Sequence, residues 1–273
     1  MKREVYKKHS RSTLTDVMVG SVLLLLASPS YAEDSRQSRI ENSGELKVCV
    51  WPEYFAISYR NNKNGSIQGL DIDMARALSE DLGVKTRLVF TDFGRFMDDI
   101  ESDRCDIGMF GIGRTKSRLA RLDFSQPYMA SGMYGITTKT HQQITSWESI
   151  DRPDIVVCVQ KGTYMESAMR NTLKHAEISV VNRPYEREAE VRSGRADVFI
   201  TDYPYGQKVL KSYDWARLLT PLSQSGGKFQ YAYAVAKGQP EWLARVNRFV
   251  ADIKSDGRLR QAGEKHGLTP IIY

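Results

Sequence analysis

Shifted by 91 residues, one stretch of the chain falls on another. Val89-Phe90 meets Val180-Val181, Ile100 meets Val191, and Ser102, Arg104 and Asp106 meet Ser193, Arg195 and Asp197, with Ile107 on Val198. Each copy reads as strand, helix, strand, the helix closed by Ser-x-Arg-x-Asp. Any parallel unit of this kind needs a polar link before its second strand, so the identities alone carry little. The register carries more. It sets Gly111 on Asp202, each just past the carboxyl end of its strand. In open α/β sheets ligands sit outside those ends, so two such units facing each other enclose a cleft lined from both sides.

Periodicity extends the pattern in both directions. Ile72, Ala75, Leu78 and Leu82 recur at helical spacing over 71–82, with Gly83 as the stop. Further helices read over 94–102, 164–173, 185–193, 205–211, 240–253 and 257–265. Strands read over 46–51, 87–91, 106–110, 155–159, 178–181, 197–201 and 231–236. The alternation is that of an α/β protein with largely parallel sheets. A hydrophobic fraction of 41% excludes a disordered chain.

The N-terminus reads as an export signal. Lys2, Arg3, Lys7, Lys8 and Arg11 precede an apolar run from Val17 to Ala27, and Ser30-Tyr31-Ala32 puts small residues at −3 and −1 of a cleavage site. The run is too short for the ~20 residues of a membrane span. Cleavage after Ala32 leaves a soluble exported protein. With residues 1–32 removed, 34 basic and 31 acidic residues remain, a net +3. No later stretch clusters Lys and Arg, which argues against nucleic acid as a partner. Cys49, Cys105 and Cys158 sit in or beside apolar strand-like runs without CxxC or Cys/His spacing. They read as buried free thiols rather than a disulfide, a metal site or a nucleophile.

Six collinear motifs then resemble one family. Gly69-Leu70-Asp71-Ile72-Asp73-Met74-Ala75 is similar to the G-F-D-x-D-[LM]-A signature of the extracellular solute-binding proteins of family 3, the amino-acid type. Thr91-Asp92-Phe93 resembles that family's aromatic loop. Cys105-Asp106-Ile107 through Gly113-Arg114-Thr115 to Arg118 resembles its D-[IA]-x-x-x-x-[LM]-[ST]-[IR]-T-x-x-R segment, and Phe124-Ser125-Gln126-Pro127-Tyr128 its F-S-x-P-Y. Lys161-Gly162-Thr163 stands at its ligand loop and Asp197 to Asp202 at its D-A-x-x-x-D. The resemblance implies a two-lobed periplasmic binding protein of type II, each lobe a mixed, mostly parallel sheet flanked by helices, with two hinge crossings. Lobe 1 would be 46–134 plus 231–273 and lobe 2 135–230. It also implies a monomer that binds a small amino-acid-like zwitterion without catalysis, cofactor or metal and delivers it to an ABC transporter permease.

A zwitterion needs a cationic fork and an anion. Arg118 is the fork candidate, because a planar guanidinium matches a carboxylate with two parallel bonds, and Thr115 is placed to cap the helix that carries it. Asp202 is the ammonium candidate, though an Asp after a strand is also a common cap. Gly162 and Thr163 would meet the carboxylate from the other lobe, with Gly111 and Gly113 at the facing strand end. Trp51, Tyr54 and Phe93 are candidate aromatic walls. The chain departs from the family pattern at Ala56-Ile57, Phe110-Gly111 and Tyr164, and Trp51 stands near where basic-amino-acid binders carry an acid. These departures argue against Lys or Arg as ligand and for an aromatic, aliphatic or uncharged polar amino acid. A second reading is an exported cyclohexadienyl dehydratase on the same scaffold. That enzyme's ligand loop resembles Gly-Thr-Asn-Glu, whereas this chain has Gly162-Thr163-Tyr164-Met165 with Glu166 one position later. One step along a helix turns a side chain by ~100°. A third reading is a free-standing sensor domain.

Overall fold

The computed structural model describes residues 35–221 and 227–273. The expected signal peptide, residues 1–32, lies outside the described residues. Among these, no helix is long and apolar enough to cross a membrane.

Two five-stranded sheets organise the chain, and they are built alike. In the first, Glu45–Val50 is flanked in parallel by Lys85–Phe90 and Ile107–Gly108, then Ala234–Ala236 runs antiparallel beside Leu122–Phe124. In the second, Val156–Gln160 is flanked in parallel by Glu177–Val181 and Val198–Thr201, then Tyr134–Thr138 runs antiparallel beside Ala216–Leu219. The one reversed strand of each sheet belongs to a segment that passes between the halves. Those two passages pair with each other, Met129–Ser131 against Phe229–Tyr231.

The 91-residue repeat has a structural cause. Asp106 accepts from the Lys47 amide at 2.9 Å while its own amide donates to the Lys47 carbonyl at 2.8 Å. Asp197 does the same with Val156, at 2.7 and 2.9 Å. Arg104 pairs with Asp99 and Arg195 with Glu190, each five residues back. The motif thus closes a helix and clamps the incoming strand, the middle one of its sheet, onto Glu45–Val50 in the first sheet and Val156–Gln160 in the second.

Helix Leu70–Asp81 buries Ile72, Ala75 and Leu78, as its spacing predicts, with Met74 beside them and Leu82 only partly covered. Two expectations need correction. The strand read over 231–236 is broken, because Phe229–Tyr231 joins the passage pair and Ala234–Ala236 enters the first sheet. The strand read over 106–110 stops at Gly108, since the chain must turn sharply to reach Gly111.

The cysteines also differ from expectation. Cys49 and Cys105 form a disulfide across a Cα–Cα distance of 5.5 Å. Cys49 lies on strand Glu45–Val50, and Cys105 enters the strand paired with it, so parallel pairing brings together residues 56 apart in sequence. Cys158 is the buried free thiol the sequence suggested, pushed up to about 12 by burial.

Candidate functional site

Arg118 sits on the short helix Lys116–Arg121, whose N-cap Thr115 accepts the Arg118 amide at 3.2 Å. The cap fixes where the helix starts and so aims the guanidinium inward, where it is 4% exposed. Nη1 donates to the Gly113 carbonyl at 2.5 Å and Nη2 to the Gly162 carbonyl, on the second-sheet side, at 2.8 Å. Its carbon lies 5.3 and 5.2 Å from the ring centres of Phe93 and Phe96, a cation–π arrangement. Burial lowers its pKa to about 10, which leaves it charged at neutral pH.

Asp202 follows strand Val198–Thr201 and is the N-cap of helix Tyr203–Ser212. Oδ1 accepts the Tyr205 amide at 3.3 Å, so the ordinary capping role is real. Oδ2 is used differently. It accepts the hydroxyls of Tyr54 and Tyr231, the latter at 2.6 Å. Burial raises the carboxyl's pKa, and the two phenols oppose that rise.

Both groups line one cavity. Trp51, Tyr54, Phe93, Gly111, Gly113, Thr163 and Tyr164 line it too, so nine of the ten residues singled out from the sequence meet there. Gly162 is the tenth and contributes its carbonyl to Arg118 instead. Trp51, Tyr54 and Phe93 form a mutually edge-on or tilted cluster with ring centres 5.3–6.0 Å apart. Tyr164 stacks on Phe229 at 4.3 Å. Thr163 is engaged as a cap: its hydroxyl donates to the Gln160 carbonyl at 2.7 Å and accepts the Glu166 amide at 3.4 Å.

Two glycines are set by space. At Gly162 (φ +76°) a Cβ would come within 2.8 Å of the Phe93 carbonyl oxygen, so the two halves approach backbone to backbone. At Gly111 (φ +63°) it would meet the Tyr54 ring at 2.8 Å.

Sequence reasoning missed Gln160, Met165, Arg187, Thr201, Tyr205, Phe229 and Tyr231. Thr201 and Tyr205 flank Asp202 closely enough for proximity to have flagged them. Tyr231 lay in a stretch read as uninterrupted strand. Arg187 stood among alternating charges that look like a solvated helix face. Glu166, the displaced acid of the dehydratase reading, does not line the cavity. Its carboxylate accepts the Gly162 amide at 2.6 Å and pairs with Arg170 at 3.0 Å.

A family model described as bacterial extracellular solute-binding proteins, family 3, matches residues 46–269. The cyclohexadienyl dehydratase of Pseudomonas aeruginosa is 37% identical over 182 residues, 66% of this chain and 68% of that protein. The L-cystine-binding protein TcyJ of Escherichia coli K12 is 23% identical over 93% of this chain and 94% of its own length. Among solved structures, an ancestral amino-acid-binding protein described as a precursor of cyclohexadienyl dehydratase superposes with a TM-score of 0.78. It is 33% identical, over 85% of this chain and 99% of that one. The architecture is that of the type II periplasmic binding proteins. The chain belongs to the bacterial extracellular solute-binding proteins of family 3.

Proposed function

We propose that the protein is the periplasmic binding component of an ABC uptake system and takes a small amino-acid-like zwitterion into the cavity between its two sheets. One observation carries the reading. A buried guanidinium and a buried carboxylate, Arg118 and Asp202, face one cavity from opposite halves. Arg118 receives the ligand carboxylate as a fork, and Asp202 receives the ammonium beside the two phenols. Residues 46–134 with 231–273 act as one lobe and 135–230 as the other, hinged at the paired passages. The chain matures by cleavage after Ala32, works as a monomer and hands its ligand to a permease. The names of relatives agree: an L-cystine-binding protein and a putative amino-acid ABC transporter-binding protein are among them.

The dehydratase reading is favoured by the 37% identity to such an enzyme. Chemistry weighs against it. A general acid must come within hydrogen-bond reach of the leaving hydroxyl. Glu166 is bonded to Gly162 and Arg170, and Asp202 is the one carboxylate among the described residues lining the cavity. Incubation with prephenate should yield no phenylpyruvate. Turnover would overturn the binding reading.

Titration calorimetry tests the site. Arg118→Ala and Asp202→Ala should each cost about 2–5 kcal/mol in amino-acid affinity, since either leaves a ligand charge desolvated and unpaired. Arg118→Lys should recover only part, because a point charge cannot form two parallel bonds. Asp202→Ala should harm a deaminated analogue less than the amino acid. Near-wild-type affinity in Arg118→Ala removes the amino-acid reading.

A further inference from the structure

Arg187 is a second guanidinium in the cavity, and a simple zwitterion leaves it without a task. It lies on helix Pro184–Arg192 within Tyr185-Glu186-Arg187-Glu188-Ala189-Glu190, where a solvated charge would be ordinary. Instead it is 4% exposed and lines the same cavity as Arg118 and Asp202. Nε and Nη1 donate to the carbonyls of Pro184 and Ile200, at 3.3 and 3.1 Å. The guanidinium carbon sits 4.5 Å from the Tyr205 ring centre and 5.3 Å from that of Phe199. These partners orient the group without neutralising it. The neighbouring Glu188, itself buried, accepts the hydroxyl of the same Tyr205 at 2.7 Å and does not line the cavity.

The charges of the cavity can then be counted. Two guanidiniums and one carboxylate line the cavity, Glu188 lying outside the lining, so a zwitterion, adding nothing, leaves the lining with one cation more than its anions. Buried cations are tolerated when they are paired, and an interface selects the partner whose charge completes the pair. One further carboxylate on the ligand does so.

We infer that Arg187 receives a second, side-chain carboxylate, which makes dicarboxylic amino acids the preferred ligand class of this cavity. The inference rests on the zwitterion reading above and narrows it. It replaces the uncharged side chain to which the sequence pointed, because Arg187 was not visible there as a cavity residue. It agrees with the exclusion of Lys and Arg as ligands, which would add a cation to a site already positive.

The test uses neutral isosteres on the mature protein. L-aspartate and L-glutamate are titrated against L-asparagine and L-glutamine, which differ only in the charge of the side-chain group. The wild type should bind a dicarboxylic member at least about tenfold more tightly than its amide. In Arg187→Gln that preference should fall to within about threefold. Equal binding of acid and amide by the wild type overturns the inference without any variant, so poor folding of Arg187→Gln does not protect it. A preference that survives in the folded variant overturns it as well. If none of the four binds while other amino acids do, the inference fails and the zwitterion reading stands. If no amino acid of the twenty binds, both fail.

Discussion

Asp71 illustrates how far a single buried side chain can stand from its ordinary chemistry. It lies in the first turn of helix Leu70–Asp81, a position that favours an anion. Its Oδ2 accepts the Gly111 amide at 2.7 Å and the Tyr128 hydroxyl at 2.6 Å, which ties the cavity's glycine turn to the passage segment. Oδ1 has no hydrogen-bond partner in the buried interior. Burial outweighs the donors and raises the pKa to about 7. A carboxyl raised above its unfolded value favours folding fully at pH below about 4, and that contribution is lost as pH rises through about 7. Urea unfolding should therefore show the wild type more stable at pH 5 than at pH 8, by up to a few kcal/mol from this residue. Asp71→Asn should flatten that slope. An unchanged slope in the variant would show that the group is not the source. At the same scale, Arg118 and Asp202 were legible because both chemistry and motif placed them. Arg187 and Glu188 were not, since local sequence cannot show that a charged helix face is buried against strand Val198–Thr201 and the Tyr205 side chain.

Elements were legible wherever a period was sustained. Helix Leu70–Asp81 and strands Glu45–Val50 and Val198–Thr201 fall within a residue or two of their expected places. Helix Arg36–Ser43 carried no clear apolar stripe; it is held by ion pairs of Arg36 with Asp103 and Asp106, which only the fold brings near. The three short strands Glu53–Tyr54, Ser58–Arg60 and Ile67–Gln68 are too brief for alternation to register. Equivalent strands make a prediction at this scale. In the first sheet Val48 pairs with Ile107 and Cys49 with Gly108; in the second Val157 pairs with Val198 and Cys158 with Phe199. Cys158 thus matches Cys49, and Ala196 matches Cys105, both second-sheet positions being buried. Ala196→Cys should close a disulfide with Cys158 in oxidising conditions. By loop-entropy reasoning it should stabilise by up to about 4 kcal/mol, read as a rise in melting temperature that a reductant abolishes. A free-thiol assay that still counts two thiols in the folded variant would refute the structural match.

For the whole molecule, the halves are joined by two passages and touch again across the cavity. Arg118 reaches Gly162 and Tyr54 reaches Asp202, while at the passage itself the Tyr203 amide donates to the Ser131 hydroxyl at 3.0 Å. A ligand shifts an open–closed balance only by contacting both halves in the closed form. Small-angle scattering should show a smaller radius of gyration at saturating ligand, and no compaction would contradict a hinge. The bond between Tyr54 and Asp202 has a consequence for speed. The carboxylate that would greet the incoming ammonium is already held by a hydroxyl from the opposite side, so entry has to wait for that bond to break. Capture then behaves as a gated process. In stopped-flow mixing, the observed rate should climb with ligand concentration and level off at the rate of opening. Tyr54→Phe, which lacks the hydroxyl, should raise that plateau, whereas a rate that stays linear to high concentration would mean that the door is never shut.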